Sequence, residues 1–196
     1  MLSENIKEKT KANHLSVEKK LIAEIRSVNS EEDYGKLLNL FYSYFGGLEL
    51  AINQHLKISY LPDYEQRRKT TALAADLTSL GMPLPKVASK SDLPEISNHY
   101  QALGALYVIE GSTLGGLIIS KMLAEQLGWT DYSRMSFFNG YGDRTTSMWQ
   151  EFRQSLDKPI YNLKEEIIIY TANQTFIKFG DWFDKNKKQD YLLNLT

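Results

Sequence analysis

Apolar residues recur at intervals of three and four along almost the whole sequence, and this spacing constrains the fold more than any other feature. On an α-helix such positions share one face, whereas a half-buried strand alternates apolar and polar residues. The five prolines stand between the periodic segments and not within them. A chain of 196 residues is long enough to build one sizeable core. The sequence therefore predicts an all-α helical bundle in a single domain covering residues 1–196.

The same spacing locates the predicted helices. The first helix is predicted at about residues 4–26, the second begins at residue 30, and the third covers about 64–80. A short helix at 95–101 is followed by the glycine-bearing helix, which ends at about 127. Two more helices close the chain. Residues 167–170, Ile-Ile-Ile-Tyr, suit a strand by propensity, but the apolar positions after them keep helical spacing. We therefore expect the last segment to be a helix as well.

The charges of the chain nearly balance, with 23 Lys and Arg against 24 Asp and Glu and a formal net charge of −1. No overall basic field is present to attract nucleic acid, so nucleic acid is not an expected partner. An anionic ligand would have to be held by a local cluster of basic residues.

The absence of cysteine excludes disulfides, thiolate nucleophiles and cysteine-based metal sites, and it favours a cytoplasmic protein. The N-terminus, MLSENIKEKTKANH, is polar and lacks the apolar run of a secretory signal. Polar and charged residues interrupt the apolar segment 102–127, which argues against a membrane span. We therefore expect a cytoplasmic protein with no membrane span.

His14 lies on the apolar face of the first predicted helix, in the same arc of the helical wheel as Val17, so its ring is expected to point inward. An inward histidine is most often a hydrogen-bonded core residue. Glu18, one turn later, is placed to hold one ring nitrogen protonated and leave the other for a metal. Lys7 and Lys11 flank this face as either solvated lysines or partners for ligand carboxylates.

Glycines interrupt the buried helix ALYVIEGSTLGGLII, residues 105–119, where each costs a helix roughly 0.5–1 kcal/mol relative to alanine. Gly104, Gly111 and Gly115 form a stripe on the wheel, with Gly116 to one side and Ser112 beside them. The stripe has two explanations: close packing against another helix, or a flat ligand lying on bare backbone.

A flat, dianionic, iron-bearing ligand connects the stripe to His14 and its lysines, and haem b fits that description. An axial imidazole on one face of haem and glycine backbone on the other would leave the sixth iron position open for O2.

Residues 6–14, IKEKTKANH, and residues 107–116, YVIEGSTLGG, resemble the two signatures of the haem oxygenase family, especially its bacterial branch. The resemblance implies that His14 is the axial iron ligand and that Glu18 contacts it. It implies that Gly111, Ser112 and Gly115 form the opposite, distal face and position oxygen and water. It further implies cofactor-binding roles for Lys7, Lys11, Tyr107, Gly116, Arg153, Phe176 and Phe179.

The resemblance also implies a reaction in which haem is both cofactor and substrate and is opened to biliverdin, CO and iron. The reaction requires O2 and an external electron donor, such as a ferredoxin or a reductase. Animal members carry an aspartate directly after the first distal glycine, where it organises proton-delivering waters. This chain has Ser112 there, and a hydroxyl orders a water without supplying the same charge.

Two other functions remain open from the sequence. A non-enzymatic haem or tetrapyrrole binder would keep His14 without the oxygen chemistry, and the serine at position 112 is compatible with that function. A di-iron oxidase on the same fold would need several carboxylates and histidines at helical spacing. Glu95 and His99 form one candidate pair, but only His14 and His55 remain to complete it.

Overall fold

The computed structural model describes residues 1–193, with side chains described through Lys187. Within this range the chain forms α-helices and short 3-10 turns and no strand, which confirms the predicted all-α fold. The helices are α1 (Leu2–Ser27), α2 (Glu31–His55), α3 (Thr71–Ser79), α4 (His99–Gly111), α5 (Thr113–Leu127), α6 (Ser136–Asn139), α7 (Thr145–Leu156) and α8 (Glu165–Leu193).

Helices α1 and α8 lie side by side and run in the same direction. Asn13 Nδ2 donates a hydrogen bond to Asn173 Oδ1 at 2.6 Å, and Lys20 Nζ donates one to the carbonyl of Gly180 at 3.0 Å. Both pairs are separated by 160 residues in sequence, so the register between the two helices is constant. The strand-like segment 167–170 lies within α8, because packing of its apolar face outweighs its local propensity.

Aromatic side chains fill the core where α2, α6 and α8 meet. The rings belong to Phe41, Tyr44, Phe45, Phe137, Phe138, Phe179 and Phe183. Helix α4 is buried almost all round and packs on α8. A Cβ on Gly104 would collide with the carbonyl oxygen of Ile168, so the first glycine of the stripe permits close helix packing.

The helix predicted up to residue 127 is broken at Ser112, which separates α4 from α5. The helix predicted at residues 64–80 is also interrupted, because a 3-10 turn at Tyr64–Gln66 is followed by non-helical residues before α3. At this interruption Arg67 and Arg68 turn into the protein and bond to buried groups on α4. The short helix expected at residues 95–101 is instead the beginning of α4 at His99.

His99–Leu127 is the one stretch of the described chain that is long and apolar enough to cross a membrane, with a hydropathy of 1.6. However, 61% of its apolar window is buried inside the fold, and Ser112 breaks it into two helices. Core packing of α4 and α5 therefore accounts for its apolar character.

Candidate functional site

Helix α1 is tied to the α4–α5 pair at two places. Near the N-terminal end of α1, the hydroxyl groups of Thr10 and Tyr107 are hydrogen bonded. Beyond its C-terminal end, Gln126 Nε2 donates a hydrogen bond to the carbonyl of Val28 at 3.1 Å. Between these ties, no hydrogen bond or ion pair joins the described side chains of α1 to α5. Between the ties, His14 and Leu15 of α1 and Leu114 and Gly115 of α5 are exposed, and we call this region the α1/α5 gap.

His14 lies on α1 within the span of this gap. Its ring is exposed, contacts the edge of Phe176 at a centroid distance of 5.5 Å, and has no hydrogen-bond partner among the described residues. The expectation that the ring points into the core is therefore wrong, because the apolar arc of α1 faces an opening at this position. An exposed imidazole without a partner is free to bind a ligand.

Three charged residues expected around His14 are exposed. Glu18 lies one turn after His14 but is not hydrogen bonded to its ring. Lys7 and Lys11 form no ion pair with any side chain of residues 1–187. Their ammonium groups are therefore available to a ligand's carboxylates.

The glycines of residues 111–116, which we call the distal segment, have two different surroundings. A Cβ on Gly115 would meet nothing within 4 Å, and one on Gly111 would lie 3.6 Å from the Trp149 ring. By contrast, Gly116 is buried, and a Cβ there would collide with the carbonyl oxygen of Phe138. Gly116 therefore lets α5 pack closely on α6, and the cofactor-binding role expected of it stays a prediction.

Apolar side chains on both walls of the gap are exposed. Leu15 of α1 is 43% exposed, and Leu114, Leu117 and Ile118 of α5 are 46%, 50% and 65% exposed. Leu114 directly precedes Gly115, so bare backbone and apolar side chains lie together on this part of α5. Such a patch is typical of a surface that an apolar ligand covers.

Tyr107 and Arg153 lie at the end of the gap nearest the N-terminus of α1. Tyr107 is buried, its ring contacts Trp149 at 5.6 Å, and burial raises the pKa of its hydroxyl. Arg153 is half-buried and donates from Nη2 to Ser3 Oγ at 3.3 Å. The basic group of Arg153 is thus at the same end of α1 as Lys7 and Lys11.

The two phenylalanines predicted from α8 differ in position. Phe176 is buried beside His14, as its ring contact shows. Phe179 packs in the aromatic core, 4.8 Å from the Tyr44 ring and 4.9 Å from the Phe45 ring. Phe176 thus forms part of the surface around the imidazole, and the pocket role expected of Phe179 stays a prediction.

A separate surface cleft of about 690 Å³ opens beside the N-termini of α4 and α8. Asn98, Tyr100 and residues 162–167 line it. None of the residues expected to bind a cofactor lies in it, so the expected site is the open α1/α5 gap.

The family model described as "Heme oxygenase" matches residues 1–185. The chain belongs to the haem oxygenase family. A "Heme oxygenase" of Xanthomonas campestris pv. campestris is 28% identical over 127 residues, covering 65% of this chain and 73% of that protein. "Heme oxygenase PigA" of Pseudomonas aeruginosa is 26% identical over 157 residues, covering 80% of this chain and 78% of that protein.

Two solved structures share the fold. Heme oxygenase from Leptospira interrogans has a TM-score of 0.71 and 18% identity, over 94% of this chain and 98% of that one. Heme oxygenase-1 from the cyanobacterium Synechocystis sp. PCC6803, in complex with heme, has a TM-score of 0.68 and 17% identity. That comparison covers 100% of this chain and 99% of the cyanobacterial one. The haem oxygenase fold thus extends over nearly all of this chain.

Sequence reasoning missed a buried polar network behind the distal segment of this haem oxygenase. Glu110 accepts a hydrogen bond from Arg67 Nη1 at 2.6 Å, and its two carboxylate oxygens share the single proton of the Tyr141 hydroxyl, at 2.9 and 3.0 Å. Arg67 is also ion-paired with Asp63, and its side chain is fully buried. The available signal was Glu110 itself, because a carboxylate inside an apolar helix requires a buried partner.

Arg68, the next residue, binds directly to the break between α4 and α5. Its Nη2 atom donates to Ser112 Oγ at 2.6 Å and to the Ile109 carbonyl at 2.8 Å. The Ser112 hydroxyl in turn donates to the Ile109 carbonyl at 2.7 Å. Arg68 therefore fixes the orientation of the Ser112 hydroxyl.

The residues considered for a di-iron centre do not come together. Glu95 is exposed, whereas His99 is buried, accepting from the Lys57 N–H at 3.2 Å and lying 3.2 Å from the Tyr161 hydroxyl. Among the described residues, no group of three or more histidine, cysteine or carboxylate side chains is arranged to hold a metal. The side chains that a di-iron oxidase needs are thus not gathered in this part of the chain.

Proposed function

We propose that this member of the haem oxygenase family opens haem to biliverdin, CO and iron, with O2 and an external electron donor. The observation that carries the proposal is the gap that has the exposed, unpartnered His14 on α1 and the open backbone of Gly115 on α5. One wall thus supplies an imidazole nitrogen, and the other supplies a surface that a flat ring can approach closely.

The residues around the gap fit haem. The open space at Gly115 would be reduced by any side chain there, and the apolar residues on both walls suit the faces of a porphyrin. Lys7, Lys11 and Arg153 lie towards one end of α1 and suit two propionates. His14 would ligate the iron, with Phe176 packed beside its ring.

Bound haem supplies both the iron at which O2 reacts and the macrocycle that is oxidised. With iron on one ring nitrogen of His14, Glu18, one turn away, would accept the proton of the other. Gly111 and Gly115 place no side chain on the opposite face. The protein therefore contributes orientation and access, since no nucleophile or strong base is needed on this face.

Ser112 contributes a hydrogen-bond acceptor to that face. Its hydroxyl proton is donated to Ile109, and one lone pair accepts from Arg68. The second lone pair remains for a water. Ser112 therefore accepts a hydrogen bond from one O–H of a water. The other O–H of that water remains to donate its proton towards the reacting face.

The basic end of the gap orients the macrocycle about the axis through His14. Ion pairs from Lys11 and Arg153 to the propionates would select one rotation and so one site of ring opening. Electrons would come from a ferredoxin or a reductase, and we place the reaction in the cytoplasm.

Reductive turnover tests the function. Purified protein is mixed with hemin under air, reduced with ascorbate or a ferredoxin system, and analysed by absorbance and product chromatography. We expect the Soret band to decay while biliverdin and CO form, and His14→Ala to abolish this. A Soret band that persists with no biliverdin would overturn the enzymatic function.

That outcome would favour a haem or tetrapyrrole carrier, the one alternative that a specific observation supports. The observation is Ser112, which stands where animal members carry an aspartate. Stoichiometric binding without decay would establish the carrier.

A further inference from the structure

Arg68 is a buried cation directly behind the distal face. It follows the 3-10 turn at Tyr64–Gln66, and its guanidinium lies over the Phe137 ring, 3.9 Å from the centroid. Its guanidinium donates to neutral oxygens, Ser112 Oγ and the carbonyls of Ile109 and Phe137, and its backbone N–H donates to the Tyr141 hydroxyl. These neutral partners orient the guanidinium but leave its charge in place.

No carboxylate of the described side chains lies within ion-pair distance of Arg68. The carboxylates in its surroundings, Glu110 and Glu49, have other partners. Glu110 is ion-paired with Arg67, and Glu49 accepts from the Thr70 N–H at 2.7 Å. Burial lowers the pKa of Arg68 to about 10, so the guanidinium remains charged at neutral pH. A buried cation without a direct partner is unusual and acts over a longer range than a paired one.

Ser112 separates this charge from the gap. It is half-buried, stands at the break between α4 and α5, and lies between Gly111 and Gly115 in sequence. Ser112 is thus the side chain of this break that Arg68 contacts directly. A carboxylate at position 112 would pair with the guanidinium and cancel its charge.

We propose that Arg68 is a positioning residue that supplies positive charge to the distal face through Ser112, and that this charge depends on a neutral residue at position 112. The proposal rests on the function above, because it requires iron bound at His14. Its consequence is that negative charge developing on the distal ligand is stabilised by Arg68 and not by a side chain inside the gap.

The acid–alkaline transition of the ferric haem complex measures this charge without turnover. Deprotonation of a distal water adds a negative charge next to the iron, so a nearby cation lowers the midpoint of the transition. The charged and titratable groups around Arg68 are Glu110, Glu49 and Tyr141. The midpoint is read from absorbance as the pH is raised.

Arg68→Gln and Ser112→Asp each remove the net positive charge and are expected to raise the midpoint by about one pH unit, a tenfold change in proton affinity. Ser112→Asn, which is close to aspartate in size but neutral, should stay near wild type. Tyr141→Phe is the matched control, since it removes the hydroxyl that accepts from the Arg68 N–H at 2.8 Å and donates to Glu110, without changing a charge.

A wild-type midpoint in both Arg68→Gln and Ser112→Asp would overturn the proposal. Equal shifts in Tyr141→Phe and Arg68→Gln would also overturn it, because the network's structure would then be responsible. If Arg68→Gln fails to fold, Arg68→Met, which also removes the charge but keeps the apolar stem over the Phe137 ring, is measured in its place. Unshifted midpoints in a protein that still cleaves haem refute only the role of Arg68, whereas a wild type that binds no hemin refutes the function as well.

Discussion

Ser112 Oγ and Arg68 Nη2 lie 2.6 Å apart, so a residue at the break of the distal segment is held by a guanidinium that is 44 positions away in sequence. The guanidinium has only donor groups, and it also donates a hydrogen bond to the Ile109 carbonyl near the end of α4. The break between α4 and α5 is therefore a supported feature of the fold. It places Gly115 at the start of α5, facing the gap.

Alanine at neighbouring glycines should separate packing from ligand binding. Gly116→Ala is expected to lower the free energy of unfolding by about 1–3 kcal/mol, because its Cβ collides with Phe138. Gly115→Ala should stay within about 1 kcal/mol of wild type but bind hemin about tenfold more weakly, because its Cβ enters the gap. Chemical denaturation and hemin titration measure the two effects. Equal stability losses in both variants would contradict the assignment of Gly116 to helix packing and of Gly115 to ligand binding.

Breaking the buried ion pair behind the distal face should strongly destabilise the protein. Glu110→Gln leaves the fully buried Arg67 guanidinium with Asp63 as its remaining carboxylate and should lower the free energy of unfolding by about 3 kcal/mol. Glu31→Gln breaks the exposed pair with Arg134 and serves as the control, with a much smaller expected effect. A similar loss of unfolding free energy in both variants would contradict the expectation that the buried pair stabilises the protein more than the exposed one does.

His99 should make stability depend on pH. Burial, with the nearby charge of Lys57, lowers the pKa of His99 below its ordinary 6.5. As the pH falls through 6.5, His99 is protonated in the unfolded chain before it is protonated in the folded protein. The free energy of unfolding therefore decreases until the pH is below the folded-state pKa of His99. The Lys57 N–H occupies Nδ1, so protonation there breaks a hydrogen bond.

His99→Gln should remove this part of the pH dependence. Denaturation of wild type and variant between pH 7.5 and pH 5 measures it, and we expect the difference in unfolding free energy between them to shrink as the pH falls. A difference that is constant with pH would refute the role of His99.

Basic residues at one end of the gap should determine which biliverdin isomer forms. Arg153→Ala and Lys11→Ala are expected to change the isomer ratio more than the turnover rate, because they loosen the rotation of haem about its axis. Chromatography of the product with a parallel rate measurement checks this. Lys36→Ala, on α2, is a lysine control outside the gap. An unchanged isomer ratio in both variants would disprove the orienting role.

Helical periodicity was sufficient to predict the all-α fold and most helices, because it depends on the apolar face that each helix buries. It did not predict the interruption after the turn at Tyr64–Gln66 or the break at Ser112. Both depend on Arg67 and Arg68 reaching α4, a contact between distant residues that leaves no local pattern.

The glycine stripe shows a second limit of sequence reasoning. Close packing and an open ligand surface both favour glycine, and a helical wheel does not distinguish them. In the structure Gly104 and Gly116 serve packing, whereas Gly115 faces open space. His14 shows a similar limit, since the wheel places it on the apolar face but does not reveal that the face opens to solvent there.

The most direct test of the account is a hemin titration of wild type, His14→Ala and His55→Ala, followed by absorbance. We predict one equivalent of bound haem with an imidazole-type spectrum in wild type and in His55→Ala. His14→Ala should lose that spectrum and regain it when free imidazole is added. A His14→Ala protein with the wild-type spectrum would contradict the account.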